Sequence, residues 1–115
     1  MIIRAENVKK EVRKQMRGGL GEAHFSHLLA DGDKPAKCRL FSLITLESGS
    51  SIGTHMHENE TEIFHMLEGT AEYNDNGVSS TVSAGDTTVT KPNESHGIAN
   101  NGPDKLVFMA VIIKE

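Results

Sequence analysis

The chain is divided into many short segments of strand-like composition, and this feature limits the possible folds more than any other. The segments are rich in Val, Ile, Thr and Phe and follow one another from residue 23 to residue 115: AHFSHLLA, CRLFSLITLE, TEIFHMLEG, TAEYND, VSSTVS, DTTVTK, HGIAN and KLVFMAVIIKE. Clusters of Gly, Pro, Asn and Asp separate them, and no long helical pattern lies between them. Closely spaced short strands without intervening helices indicate a sandwich or barrel, so we predict an all-β fold.

The first twenty residues do not share this pattern. The stretch AENVKKEVRKQM (5–16) is rich in charge and places Val8, Val12 and Met16 four residues apart. Two alternatives stay open for it, a short amphipathic helix and an extended arm. The glycine-rich RGGLGEA that follows is interpreted as a flexible turn, because the Gly-Lys-Ser/Thr of a phosphate loop is missing. We predict an arm over residues 1–20 and one barrel domain over residues 21–115.

Charge and composition exclude several classes of function. The formal net charge is -4 and the pI is near 5.8, which argues against general nucleic-acid binding, since that requires a basic field. No apolar run approaches the roughly 20 residues that span a bilayer, and the N-terminus lacks the apolar stretch of a secretory signal. The single cysteine, Cys38, cannot form an internal disulfide. We therefore predict a cytoplasmic protein without nucleic-acid or membrane partners.

One stretch, GTHMHENETEIFHMLEG (53–69), contains a group of side chains that could bind a metal ion or take part in catalysis. Side chains on a strand alternate between its faces, so His55 and His57 point to the same side. Glu62 lies an odd number of residues further and would face away on an unbroken strand, but the polar ENET before it can form a turn that resets this alternation. The residues then allow two interpretations, a solvated polar hairpin and a site where these side chains hold one metal ion.

This stretch resembles the first motif of the cupin family, in which a glycine precedes His-x-His, a glutamate follows after three or four residues, and a second glycine follows after six. The matching residues are Gly53, His55, His57, Glu62 and Gly69. The second motif is matched in order by Gly85, Pro92, His96 and Asn100. It departs from the usual form because PNESH has one residue fewer between proline and histidine and no glycine there. The resemblance extends from about Arg39 to the C-terminus.

The resemblance implies a double-stranded β-helix, or jelly-roll barrel, with a metal ion inside. The implied ligands are His55, His57, Glu62 and His96. Three neutral imidazoles and one carboxylate suit a divalent first-row metal such as Mn, Fe, Ni, Zn or Cu. Their summed charge is −1, so the loaded site keeps a charge of about +1 and attracts an anion that chelates through two oxygens.

Two functions from different classes are compatible with these features. One is an enzyme (a metal-dependent dioxygenase, decarboxylase, isomerase or lyase) that acts on a small carboxylate or sugar-acid-like anion chelated by the metal. The alternative is a binding or sensor module that holds a small carboxylate such as oxalate without converting it. No general acid or base besides the implied ligands is evident from the sequence, because Glu58, Glu60 and Glu68 have the character of loop or strand-edge residues.

The remaining candidates have structural interpretations. His65 is predicted on the outer face of its strand, between Ile63 and Leu67, and this row is a candidate homodimer interface. His24 and His27 are separated by an odd number of residues, so they cannot both face inward, and neither is predicted as a ligand. Tyr73 is predicted either at the surface or as a hydrogen-bond donor into the barrel. Core positions are predicted for a set of apolar residues and for the cysteine: Phe41, Phe64, Met66, Phe108, Met109 and Cys38.

Overall fold

Ten strands form the molecule, which we describe from a computed structural model of residues 1–115. The strands are β1 (Lys9–Lys14), β2 (Glu22–His27), β3 (Cys38–Leu46), β4 (Ser51–Met56), β5 (Glu60–Glu68), β6 (Thr70–Asp75), β7 (Val78–Ser83), β8 (Thr87–Thr90), β9 (Ser95–Ala99) and β10 (Leu106–Lys114). Three single 3-10 turns (Ala5–Asn7, Met16–Gly18 and Asp31–Asp33) are the helical elements, and no helix is long and apolar enough to cross a membrane.

Two antiparallel sheets face each other. The larger has the strand order β1-β2-β3-β10-β5-β8 and the smaller has the order β4-β9-β6-β7. Inward side chains alternate with outward ones along each long strand, as in β3, where Leu40, Ser42, Ile44 and Leu46 are buried. Fifteen buried apolar residues form one core between the sheets. This arrangement confirms the predicted all-β jelly-roll barrel.

A two-residue hairpin turn, Asn76–Gly77, joins β6 to β7. Asn76 and Gly77 both have positive φ angles, 51° and 91°. A two-residue turn of this kind matches the twist of the flanking strands, and glycine adopts it without steric cost. The hairpin places β6 between β7 and β9 in the smaller sheet, so β6 can direct a side chain towards β9.

The N-terminal segment forms a strand and not a helix. Residues 9–14 pair with β2 in an antiparallel register that matches Lys9 with His27 and Lys14 with Glu22. The helical alternative fails because Val8, Val12 and Met16 do not collect on a buried face, and Val12 points outward with 49% of its surface exposed. The division of the chain into an arm (1–20) and a barrel (21–115) stays a prediction. The arm contributes the edge strand of the larger sheet.

Candidate metal centre

The four residues implied as ligands lie together at one point between the two sheets. His55 is in β4, His57 follows the end of β4, Glu62 is in β5 and His96 is in β9. One potential ligand atom from each residue lies within 4.8 Å of the corresponding atoms of the other three. His57, Glu62 and His96 are buried and His55 is half-buried. The stretch 53–69 is therefore not a solvated hairpin.

A turn after β4 brings Glu62 to the histidines. Asn59 has a φ of 57°, a left-handed conformation that asparagine tolerates, and the chain crosses there from the smaller sheet to the larger. Glu62 then shares the buried face of β5 with Phe64 and Met66. His96 arrives from the neighbouring strand, because β4 and β9 pair with His55 directly opposite His96. The predicted reset of the alternation is confirmed.

The spacing of the ligand atoms fits one metal ion. His57 Nε2 lies 2.9 Å from Glu62 Oε1, and His96 Nε2 lies 3.0 Å from Glu62 Oε1 and 3.0 Å from His57 Nε2. Adjacent ligands of an octahedral ion, each at about 2.1 Å, lie about 3.0 Å apart. Nitrogen and carboxylate lone pairs at this separation repel one another unless a proton or a cation lies between them.

Each histidine uses its other ring nitrogen for a hydrogen bond that fixes the ring. His55 Nδ1 lies 2.7 Å from the carbonyl oxygen of Gly53, and His57 Nδ1 lies 2.8 Å from Glu60 Oε1. Both partners are acceptors, so Nδ1–H donates and Nε2 faces the cluster. His96 Nδ1 has two hydroxyl partners, Tyr73 at 2.7 Å and Thr90 at 2.9 Å. Such partners are typical of metal-binding histidines.

Burial and hydrogen bonding oppose each other in setting the charge of the cluster. Burial alone would raise the pKa of Glu62, but hydrogen bonds from His57 and His96 outweigh it, and the pKa lies below the usual carboxyl value. The hydrogen bond to Glu62 raises the pKa of His57 in spite of burial. Burial lowers the pKa of His55, which has no carboxylate partner. The centre therefore keeps an ionised carboxylate and a neutral His55, which are the forms that a metal binds.

Glu60 contacts one of the clustered histidines, and the sequence analysis did not identify it as part of the site. Its carboxylate accepts two hydrogen bonds from Arg39, at 2.7 and 2.8 Å, in addition to the bond from His57. The Arg39 bonds are the main reason why the pKa of Glu60 falls to about 2. The sequence indicated a loop or strand-edge residue, and Glu60 is indeed the first residue of β5, where this strand approaches His57. Its position three residues after His57 was the available signal.

The other candidates are placed as follows. His65 is exposed and lies 2.8 Å from Thr87, which confirms its predicted outer position. Tyr73 is buried and reaches His96, so the surface alternative is wrong. His24 is exposed and His27 is half-buried, as their odd spacing predicts. Phe64, Met66 and Phe108 are in the core, whereas three predicted core residues are only half-buried: Phe41, Met109 and Cys38.

A cavity of about 880 Å³ connects the centre with the N-terminal part of the chain. His55, His57 and Glu62 line it, together with residues of β1, β2 and β3. His27 also lines it, and its ring is held by Glu11 on Nε2 and by Ser42 on Nδ1, both at 2.7 Å. The structure therefore places in this cavity a histidine that is not one of the four clustered residues.

Comparison with known proteins establishes the family of the chain. The protein-family model of the cupin domain matches residues 42–112 of the sequence. The chain belongs to the cupin family. A protein of Thermotoga maritima named oxalate-binding protein is 42% identical over 113 residues, which cover 98% of this chain and 93% of that protein.

Solved structures show the same relationship. A crystal structure of a Thermotoga maritima protein, described as a predicted oxalate decarboxylase, superposes with a TM-score of 0.94 at 42% identity and covers 100% of both chains. A polyketide cyclase from Streptomyces resistomycificus matches with a TM-score of 0.81 at 22% identity, over 100% of this chain and 80% of that one. The cyclase shows a common fold and no more.

Proposed function

We propose that the protein holds a divalent first-row metal ion on His55, His57, Glu62 and His96, and that it binds a small carboxylate anion there. One observation carries the proposal. The three imidazoles each have Nδ1 engaged by another group, and they share one locus with the Glu62 carboxylate at spacings that suit a single ion. The donor set is compatible with Mn, Fe, Ni, Zn or Cu.

The charge of the site favours an anionic ligand. One carboxylate among the four ligands leaves a divalent ion with a net charge of about +1, and the apolar walls of the barrel strengthen its attraction for an anion. When bound, the ion supplies Lewis acidity and open positions for two oxygens of the ligand. Oxalate is the simplest anion of this kind, and the name of the Thermotoga maritima relative supports testing it first.

Metal analysis followed by calorimetry tests this function. Purified protein should contain about one metal ion per chain, and oxalate should bind the metal-loaded protein but not the metal-stripped one. An uncharged diol of similar size should bind neither form. His57→Ala should abolish metal retention and His65→Ala, on the outer face of the neighbouring strand, should not. Equal oxalate binding with and without metal would overturn the proposal.

His27 supports turnover of the bound anion as a second candidate function. Its ring lines the same cavity as the metal cluster, and the contact with the Glu11 carboxylate orients it. A histidine paired with a carboxylate can act as a general acid or base, and here proton transfer would require the Ser42 contact on Nδ1 to open. Because the sequence offered no such group, the dyad is the feature that favours an enzyme such as a decarboxylase, dioxygenase, isomerase or lyase.

A comparison of two variants tests that candidate. Product formation from a panel of chelating carboxylates should fall about 100-fold or more in His27→Gln. The control is His24→Gln, which changes an exposed histidine on the same strand. Saturable binding without any product from the unmodified protein would leave the binding module as the function.

We also propose that the protein forms a homodimer through the outer face of the larger sheet. A row of apolar side chains crosses four adjacent strands of this face, since Val89 pairs with Ile63, Ile63 with Val111, and Val111 with Phe41. None of the four is buried in the single chain, and Val89 is 48% exposed. A second copy would cover this row, which belongs to the same face as the predicted Ile63–Leu67 interface.

Light scattering tests the dimer. The unmodified protein should have a mass of about 25 kDa, twice the 12.5 kDa of the chain. Ile63→Lys should shift it to the monomer, whereas Val78→Lys, at an exposed apolar position of the smaller sheet, should not. A monomeric unmodified protein at all working concentrations would refute the interface. A cytoplasmic location stays a prediction.

A further inference from the structure

The cavity lined by His55, His57 and Glu62 has an excess of unpaired positive charge. Its lining includes six cationic side chains: Arg4, Lys9, Arg13, Arg17, Lys34 and Arg39. Carboxylates neutralise three of them, since Arg13 pairs with Glu11, Lys34 with Asp31 and Arg39 with Glu60. The other three make no ion pair, and the cavity offers Asp33 as its only unpaired carboxylate outside the metal cluster. The cavity therefore attracts anions through more than its metal.

Arg17 is the unpaired cation whose backbone is joined to the metal cluster. Its carbonyl oxygen packs directly against Gly53, where any side chain would collide with it. Gly53 in turn accepts the hydrogen bond from His55 Nδ1. Nearby, Gly19 packs against the backbone of Ser51 in the same way. The turn that carries Arg17 is thus fixed against β4, two residues before His55.

The backbone conformation of Arg17 is unusual for its residue type. Its φ and ψ angles are 55° and 32°. They lie in the left-handed region, which is sterically disfavoured for residues with a side chain but accessible to glycine. The contact with Gly53 uses only the main-chain carbonyl, so a glycine at position 17 could make it without strain. The arginine side chain adds nothing to that contact and has no hydrogen-bond partner of its own, and Arg17 is among the residues that line the cavity. Strain retained at such a position points to a functional side chain.

The size of the cavity exceeds what oxalate requires. A volume of about 880 Å³ lies in the upper range of pockets that hold much larger ligands than a two-carbon anion. A two-carbon anion on the metal would leave most of this space to solvent. Arg17, an exposed residue, is among those that line this remaining space.

We propose that Arg17 forms a second anion subsite, and that the preferred ligand is a 2-oxo or 2-hydroxy carboxylic acid whose far end carries another anionic group. The chelating end would bind at the metal centre, and the guanidinium would donate hydrogen bonds to the distal group. This inference rests on the proposed metal-dependent binding of a chelating carboxylate. It goes beyond that proposal by naming the class of ligand that the cavity would prefer.

Calorimetric titration of metal-loaded protein with three probes tests the inference. The probes are oxalate, 2-oxoglutarate, and 2-oxopentanoate, which has the same chain length but no distal charge. We expect 2-oxoglutarate to bind at least tenfold more tightly than 2-oxopentanoate. Arg17→Gln should remove this difference and leave oxalate binding unchanged, and Arg17→Lys should restore part of it. The control is Lys14→Gln, which removes an exposed cation that does not line the cavity.

The outcomes separate this inference from the proposed function. Binding of oxalate together with equal affinities for the two longer acids would overturn the subsite and leave the proposed function intact. The same conclusion would follow if Arg17→Gln weakened all three probes equally, or if Lys14→Gln had the same effect. Arg17-dependent binding of 2-oxoglutarate without oxalate binding would support the subsite and contradict oxalate as a ligand. Failure of every probe to bind would overturn both.

Discussion

Replacement of Glu60 by glutamine provides a direct test of the metal centre, because Glu60 contacts the cluster without belonging to it. In the native protein its carboxylate accepts the Nδ1–H of His57 at 2.8 Å and is fixed by two hydrogen bonds from Arg39. The pKa of about 2 means that it is ionised at neutral pH. The substitution keeps the shape of the side chain and removes the charge that would make His57 a better ligand for the proposed metal ion.

The magnitude follows from the geometry. The amide oxygen of the introduced glutamine can accept from only one of the two donors well, and its NH2 group then faces the other donor. Loss of a carboxylate behind a metal-binding histidine lowers metal affinity by about 10- to 100-fold, or about 1.4–2.8 kcal/mol. The effect on the metal-free protein should be smaller, at about 1 kcal/mol or less, because the Arg39 side chain is 48% exposed and water screens the ion pair.

Chelator competition measures the metal affinity, and thermal unfolding of the stripped protein measures its stability. The matched control is Glu58→Gln, which removes an equal charge from an exposed position two residues away. We expect Glu60→Gln to weaken metal binding far more than it lowers the stability of the stripped protein, and the control to change neither. A metal affinity within twofold of the native value would refute the role of Glu60. Equal effects of both variants would mean that any lost negative charge near the site weakens metal binding, and that the contact between Glu60 and His57 has no special role.

Three further predictions follow from contacts around the centre. Because the folded-state pKa of Glu60 lies below its unfolded value of about 4.5, the stability lost in Glu60→Gln should be largest above pH 4.5 and disappear as the pH falls towards 2, as measured by denaturant unfolding at several pH values. Tyr73→Phe removes one of two hydroxyl partners of His96 Nδ1, and it should lower the unfolding free energy by about 1 kcal/mol and weaken metal binding only a few-fold, since Thr90 remains. A methyl group at Gly53 would collide with the carbonyl oxygen of Arg17, so Gly53→Ala should destabilise the protein by about 1–3 kcal/mol, whereas Gly32→Ala, in open space, should not.

Much of the fold could be predicted from the sequence because the pattern is local. Runs rich in Val, Ile, Thr and Phe between turn residues indicate β3, β5 and β10, and the pair Asn76–Gly77 specifies its own turn. The four clustered residues were predicted as a set because their spacing resembles a known motif. Neither inference needed to know which strands are neighbours.

The partners of the cluster could not be predicted in the same way, because they depend on strand register. Thr90 reaches His96 because β8 pairs with β5 so that Thr90 lies opposite Glu62. Tyr73 does so because β6 lies beside β9, with Asp75 opposite His96. These pairings connect residues that are far apart in sequence, and a tyrosine in a strand of mixed polarity carries no local sign of them. The register, not the composition of β6, decides that Tyr73 is buried.

The rule that apolar side chains face inward did not predict the edge strand β1. Glu11 and Arg13 alternate with outward residues, as a strand requires, but they are the side chains that face inward, and Val12 faces solvent. The usual pattern is reversed because this strand lines the open cavity and does not face the packed core. Burying charge there costs little, since each group keeps water or a partner, as Glu11 keeps both Arg13 and His27. The charged segment that completes the larger sheet therefore places Glu11 and His27 in the same cavity as His55, His57 and Glu62.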